Sequence, residues 1–150
     1  MKKIVLLGIG IFSLFCLTGC NVGTKTLTCT ITETEDDITT TQIMTSTFKD
    51  GKLSKVNVNL EMILGEIYDG YIETAMQSVD QQFADLEKAE GVTYDSSMNL
   101  EENKITVNVN ADITRMDENT KILLNIQDAN AEETYEESKT YFENNGYTCQ

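Results

Sequence analysis

The chain has no histidine. That removes the imidazole base of Ser-His-Asp and Cys-His catalysts, and with it the commonest protein ligand for zinc. Positive charge is scarce as well: 11 Lys and Arg stand against 25 Asp and Glu, for a formal charge of −14. So acidic a surface repels nucleic-acid phosphates and resists adsorption to anionic lipid, and no nucleic-acid partner is expected. There is no Gly-x-Gly-x-x-Gly, no Walker-type phosphate loop and no Asp-x-Asp-x-Asp-Gly calcium-loop spacing. No motif implies a cofactor. Proline is absent, no Ser/Gly/Pro-rich linker divides the chain, and no repeat of fixed period is visible. Carboxylates are plentiful, which leaves a hydrolase using an acid–base pair open on composition, yet no pair is set apart from the rest.

A long apolar run occurs once, from Ile4 to Leu17, broken only by Gly8, Gly10 and Ser13 and preceded by Lys2 and Lys3. A positive start followed by a run of this length is the pattern of a secretory signal, and it falls short of the roughly 20 residues of a permanent membrane span. The run ends at Leu17-Thr18-Gly19-Cys20, which resembles the lipobox of bacterial lipoproteins: a large aliphatic residue, two small ones, then cysteine. The resemblance implies removal of residues 1–19 as a signal peptide and acylation of the Cys20 thiol. Each buried methylene contributes about 0.8 kcal/mol of membrane affinity, so two or more chains make a stable anchor. The expectation is a protein lipid-anchored on the extracytoplasmic face of the cell membrane, with the bilayer as its first partner. Residues 20–24 would be the lipidated cysteine and a short tether, and residues 25–150 a single extracytoplasmic domain.

Four cysteines are present. Cys16 leaves with the signal and Cys20 takes the lipid, so Cys29 and Cys149 remain. An extracytoplasmic compartment permits a disulfide, and only one intramolecular pairing exists. A Cys29–Cys149 bridge is expected, with two buried free thiols as the alternative. Two cysteines without histidine do not make a zinc cage, and no metal site is expected.

Alternation of apolar and polar residues marks the strands. Leu27, Cys29 and Ile31 oppose Thr26, Thr28, Thr30 and Thr32. Glu33 to Asp37 reads as an acidic turn, and residues 41–48 as a Thr-rich strand with Met44 and Phe48 on one face. Lys49-Asp50-Gly51-Lys52 is a hairpin turn, because Asp-Gly supplies positive φ. Val56, Val58, Leu60 and Met62 alternate with Asn57, Asn59 and Glu61. After Gly65 the period changes: Tyr68, Ile72, Ala75, Met76, Val79, Phe83 and Leu86 predict an amphipathic helix of about 20 residues that stops near Gly91. Val92, Tyr94, Met98 and Leu100, then Ile105, Val107, Val109, Ala111 and Ile113, form a second hairpin about Glu101-Glu102-Asn103. Residues 117–127 fit a helical turn or a buried strand, with the helical turn favoured. Asn130 with Glu133 resembles a capping box for a helix over about 131–145, and Tyr147 to Cys149 is a short strand or a clamped tail. The order β-β-β-α-β-β-α predicts an α+β fold: an antiparallel sheet of about five strands with helices on one face, in two layers.

The uncovered face of such a sheet would carry Thr28, Thr30, Asn57, Asn59, Thr106, Asn108 and Asn110. This bed of hydroxyls and amides is a candidate binding face for an envelope glycan or an envelope protein, and also what a plain wet sheet face of good β-formers looks like. Glu33, Glu35, Asp36 and Asp37 read as a solvated loop rather than a calcium site. Glu132, Glu133, Glu136 and Glu137 read as a solvated helix face that favours the helix N-terminus. Tyr68, Tyr71, Tyr135, Tyr141 and Tyr147 read as amphipathic edges of the core.

The lipobox, the early Leu27-Thr28-Cys29, the Lys49-Asp50-Gly51 turn and the Gly146-Tyr147-Thr148-Cys149 end together resemble the YehR-like family of small bacterial lipoproteins. That family has no established activity, so the resemblance carries over no catalytic residue. No catalytic site is expected. The functional expectation is a membrane-anchored, non-enzymatic binding or envelope-structural module. The alternative is a ligand- or cation-binding accessory to a transporter, which calls for a deep pocket between helices and sheet.

Overall fold

The computed structural model describes residues 23–123 and 134–150. The signal segment, Cys20, the Leu124–Ile126 run and the Asn130–Glu133 cap lie outside the described residues. Three long strands open the fold: β1 (Thr24–Glu35), β2 (Ile38–Lys49) and β3 (Lys52–Leu64). A 3-10 turn (Glu66–Tyr68), helix α1 (Ile72–Phe83) and a second 3-10 turn (Leu86–Lys88) follow. Strands β4 (Val92–Asn99) and β5 (Lys104–Asp112), helices α2 (Glu118–Leu123) and α3 (Tyr135–Asn144) and strand β6 (Thr148–Cys149) complete the chain. The sheet is antiparallel throughout, in the order β4-β5-β3-β2-β1-β6. The α+β class is as expected. The sheet has six strands where about five were expected, the sixth being the short strand from Thr148 that pairs with β1.

Both long hairpins turn on two residues with positive φ. Asp50 and Gly51 (φ 52° and 83°) form the expected tight turn. Asp36 and Asp37 (φ 48° and 64°) form the other, so β1 runs on through Glu33 to Glu35 where a broad acidic turn was expected. A paired left-handed turn matches the twist of the strands it joins, and aspartate tolerates that conformation better than most residues. At the start of β3, Phe48 pairs with Leu53 and Thr47 with Lys55, leaving Ser54 bulged. Ser54 is held by its hydroxyl, which donates to the Thr47 carbonyl (2.9 Å), and by its carbonyl, which accepts from Ile113 N (3.0 Å). The bulge resets the alternation, so Leu53 and Val56 both point into the core.

The inner face is mainly apolar on β1, β3 and β5, and β2 adds Met44 and Phe48 to it beside the buried Ser46. Leu27, Cys29, Phe48, Val56, Ile105, Val107, Val109 and Ala111 are buried there. Helix α1 covers β4 and β5, and α3 covers β1 and β6. The apolar stripe of α1 is the predicted one, but the helix is 12 residues long, not 20. Gly70 adopts φ 81° and separates Tyr68 from the helix, and a 3-10 turn carries Leu86 into the core beyond it. The residues predicted for the face are therefore right, while the backbone that presents them is broken in two places. Among the described residues, every buried apolar side chain lies between Leu27 and Met116.

The α3 cap differs from the expected one. Thr134 is extended (ψ 161°) and its hydroxyl accepts from Glu137 N (3.3 Å), while the Glu137 carboxylate accepts from Thr134 N (3.0 Å). This reciprocal box satisfies two donors that the first helical turn leaves open. It holds the Glu137 carboxyl below its ordinary pKa, chiefly through the Thr134 backbone N–H and then its hydroxyl. Tyr135, just inside the cap, packs edge-on against Phe48 (5.7 Å between ring centres) and carries Lys25 over its ring at 5.4 Å.

Cys29 and Cys149 are disulfide-bonded, as expected. Thr28 and Gln150 exchange both of their backbone hydrogen bonds (3.0 and 2.9 Å). The next pair along, Cys29 and Cys149, is therefore a non-hydrogen-bonded pair, in which opposed side chains come closest. Closing a loop with a sequence separation of 120 removes about 4–5 kcal/mol of chain entropy from the unfolded state. Among the described residues, no helix is long and apolar enough to cross a membrane.

Candidate binding face

The strand register places the outward residues in rows that cross the sheet. Thr28, Thr45, Asn57, Asn110 and Thr93 stand side by side across β1, β2, β3, β5 and β4. Thr30, Ile43, Asn59, Asn108 and Asp95 form the next row, and Thr32, Thr41, Glu61, Thr106 and Ser97 a third. All seven residues singled out from the sequence thus fall on three adjacent rows of one face. Rows two residues apart repeat every ~7 Å, and neighbouring strands every ~4.8 Å.

The rows are bonded within themselves. Asn57 Nδ2 donates to Asn110 Oδ1 (2.7 Å) and Asn59 Nδ2 to Asn108 Oδ1 (2.8 Å). The hydroxyls of Thr32 and Thr41 lie 3.0 Å apart, as do those of Thr34 and Thr39. A carboxamide has two N–H donors and two acceptor lone pairs, so each asparagine pair orients its amides and keeps capacity for a ligand. The side chains are thereby fixed without being used up.

One end of this face dips into a recess of about 550 Å³, lined by Thr45, Thr47, Lys55, Asn57, Asn110 and Arg115 among others. Lys55 pairs across the sheet with Asp112, and the chain after β5 brings Arg115 back beside Gly91. A Cβ on Gly91 would sit 3.0 Å from the Asp112 carbonyl and 3.1 Å from Arg115 Cβ, and φ there is 81°, so glycine is required. Asp112 is held below its ordinary pKa by the Thr114 hydroxyl (2.6 Å), assisted by the Thr114 N–H and by the positive charges of Lys55 and Arg115. The recess therefore presents two cations, one firmly ionised carboxylate, hydroxyls and amides. Such a set can hydrogen-bond a polyol and neutralise an acid group on it.

Lys55, Asp112 and Arg115 were not found from the sequence. Lys55 shares the parity of Asn57 and Asn59, which was the available signal; Arg115 lies past the strand and reaches the site only through the turn. Tyr68, Tyr135 and Tyr147 pack against the core as expected, whereas Tyr71 and Tyr141 remain 63% exposed. None of the five belongs to an outward row. Burial, reinforced by Glu33 and then Tyr141, pushes the Tyr147 hydroxyl pKa up. Among the described residues, no three carboxylate or thiol groups converge to hold a metal ion. Glu33, Glu35, Asp36 and Asp37 are spread along a strand end and a tight turn.

No protein-family model and no curated protein matches the chain. A solved structure is similar in fold: the NMR structure of a protein from Streptococcus pneumoniae TIGR4, with a TM-score of 0.59 and 14% identity, covering 100% of this chain and 96% of that one. At that identity the likeness speaks to the fold alone.

Proposed function

We propose that this protein is a lipid-anchored, extracytoplasmic and non-enzymatic binding module, a lipoprotein of the YehR-like kind. Acylated Cys20 would hold it to the cell membrane, and the outward Thr/Asn face would take a hydroxyl-rich ligand, an envelope glycan. The observation that carries this reading is the pair of asparagine ladders, Asn57–Asn110 and Asn59–Asn108, beside a recess containing Lys55 and Arg115. Pre-oriented amides recognise hydroxyls at low entropic cost, and a cation pair favours a glycan that carries carboxylate or phosphate. The transporter-accessory reading calls for a pocket between helices and sheet; the recess lies on the opposite face.

Two experiments test the two halves. Metabolic labelling with palmitate should tag the wild-type chain and leave Cys20→Ala unlabelled; equal labelling of both removes the anchor. Titration of ¹⁵N-labelled residues 23–150 with purified envelope glycan should shift the side-chain amides of Asn57, Asn59, Asn108 and Asn110. Unmoved amides with a saturating anionic glycan would reject the binding face.

A further inference from the structure

Among the described residues, five of the six large apolar side chains that stay exposed gather at one end of the molecule. There β1 turns into β2, β3 leaves the sheet, and β4 turns into β5. Hydrogen bonds stitch these three connections together. Gly65 N donates to the Asp37 carbonyl (2.7 Å) and Leu64 N to the Asn103 carbonyl (2.9 Å). Asn103 Nδ2 is shared between the Leu64 carbonyl (3.1 Å) and Asp69 Oδ1 (3.2 Å). Onto this fixed frame are set Ile67 (69% exposed), Tyr71 (63%) and Leu100 (60%), flanked by Met98 (43%) on the inner side of the sheet and Ile63 (45%) on the outer. Single exposed apolar residues need no explanation, but a cluster of them rimmed by polar groups marks an interaction surface.

The rim is acidic. Each connection adds two carboxylates: Asp36 and Asp37, Glu66 and Asp69, Glu101 and Glu102. The nearby Lys104 is ion-paired with Glu102 at 2.9 Å, which raises the lysine pKa, chiefly through the hydrogen bond itself. This charge selects among occupants. A second copy of the chain would set carboxylates against carboxylates, and an anionic bilayer would repel the same rim. We propose that this end docks a protein partner whose contact surface has an apolar centre and a basic rim. The proposal is independent of acylation at Cys20 and of any ligand on the Thr/Asn face.

The test uses ¹⁵N-labelled residues 23–150, which hold all the buried apolar side chains of the described residues. The probe is an amphipathic helical peptide of about 18 residues with leucine on one face and lysine on the other, set against a scrambled peptide of the same composition. The amides of residues 63–71 and 98–103 should shift, and the scrambled peptide should bind about tenfold more weakly. Ile67→Ser with Leu100→Ser should weaken the ordered peptide about tenfold while the remaining amide peaks stay in place. Glu66→Gln with Glu101→Gln should weaken it too and flatten its salt dependence. These substitutions also decide the matter should the serine pair perturb folding. Equal binding of the two peptides, shifts confined to the amides of α3, or no binding would each overturn the proposal.

Discussion

Ile105 and Thr106 are neighbours in one strand and occupy different chemistries. Ile105 is fully buried between Met62 and Met98 on the inner face, whereas Thr106 stands between Glu61 and Ser97 on the outer one. The contrast repeats along β1, β3 and β5. Stability is concentrated on the face that the helices cover, where side chains are chosen by volume. On the other face, side chains bond to one another along rows, and their identity is constrained far less by folding than by what they present to solvent. A fold arranged this way can change its outer face with little effect on its core.

The largest effect should come from Cys149→Ser, which frees the tail from the inner face. Urea unfolding under oxidising conditions should show a loss of about 4–5 kcal/mol relative to wild type. Next, Ile105→Ala should cost about 2–4 kcal/mol by the same measurement, and Thr106→Ala under about 1 kcal/mol; similar costs at the two positions would dissolve the contrast between faces. Gly65→Ala tests the stitched end of the sheet. Its Cβ would lie 2.6 Å from the Asp37 carbonyl, and a loss of about 1–3 kcal/mol is expected in thermal or urea unfolding. On the outer face, Asn59→Ala removes one hydrogen bond and should cost about 0.5–1.5 kcal/mol. Replacing Asn59 and Asn108 together by valine should recover most of that stability in urea while abolishing glycan-induced shifts, which separates folding from binding on one row.

The smallest effect is a pH dependence at the α3 cap. Glu137 in the folded chain keeps its charge to lower pH than in the unfolded chain, so its contribution is complete above the unfolded carboxylate value of about 4 and is lost as pH falls through the folded value. Amide exchange in the first turn of α3 should accelerate over that range, relative to the amides of β5. Thr134→Ala should give the faster exchange already at neutral pH.

The inner face was legible because alternation with period two is enforced by burial, so Leu27, Cys29, Val56 to Met62 and Ile105 to Ala111 could be assigned from parity alone. The seven outward Thr and Asn residues followed from the same parity. What escaped has local causes. The Asp36–Asp37 turn lacks the glycine that signals such turns, so β1 and β2 were read too short. The Ser54 bulge shifts Leu53 out of step, and Gly70 breaks a helix whose apolar stripe continues on either side. The α3 cap lies at Thr134, four residues beyond the expected Asn130, because Thr134–Glu137 repeats the spacing of Asn130–Glu133 and spacing alone does not choose between them. The recess could not be read from one strand, because Lys55, Asp112 and Arg115 meet only when β3 and β5 pair.

The staple between β1 and β6 also decides how the molecule responds to force. If tension is applied at Thr24 and Gln150, the load enters at β1, crosses the Cys29–Cys149 bond and leaves along β6. Apart from Thr24–Thr28 of β1, the hairpins, the helices and both surfaces described above lie on the slack side of that covalent shortcut. Pulled between Thr24 and Gln150, the oxidised protein therefore extends by only a few residues and keeps its shape, and the reduced protein unravels along its length.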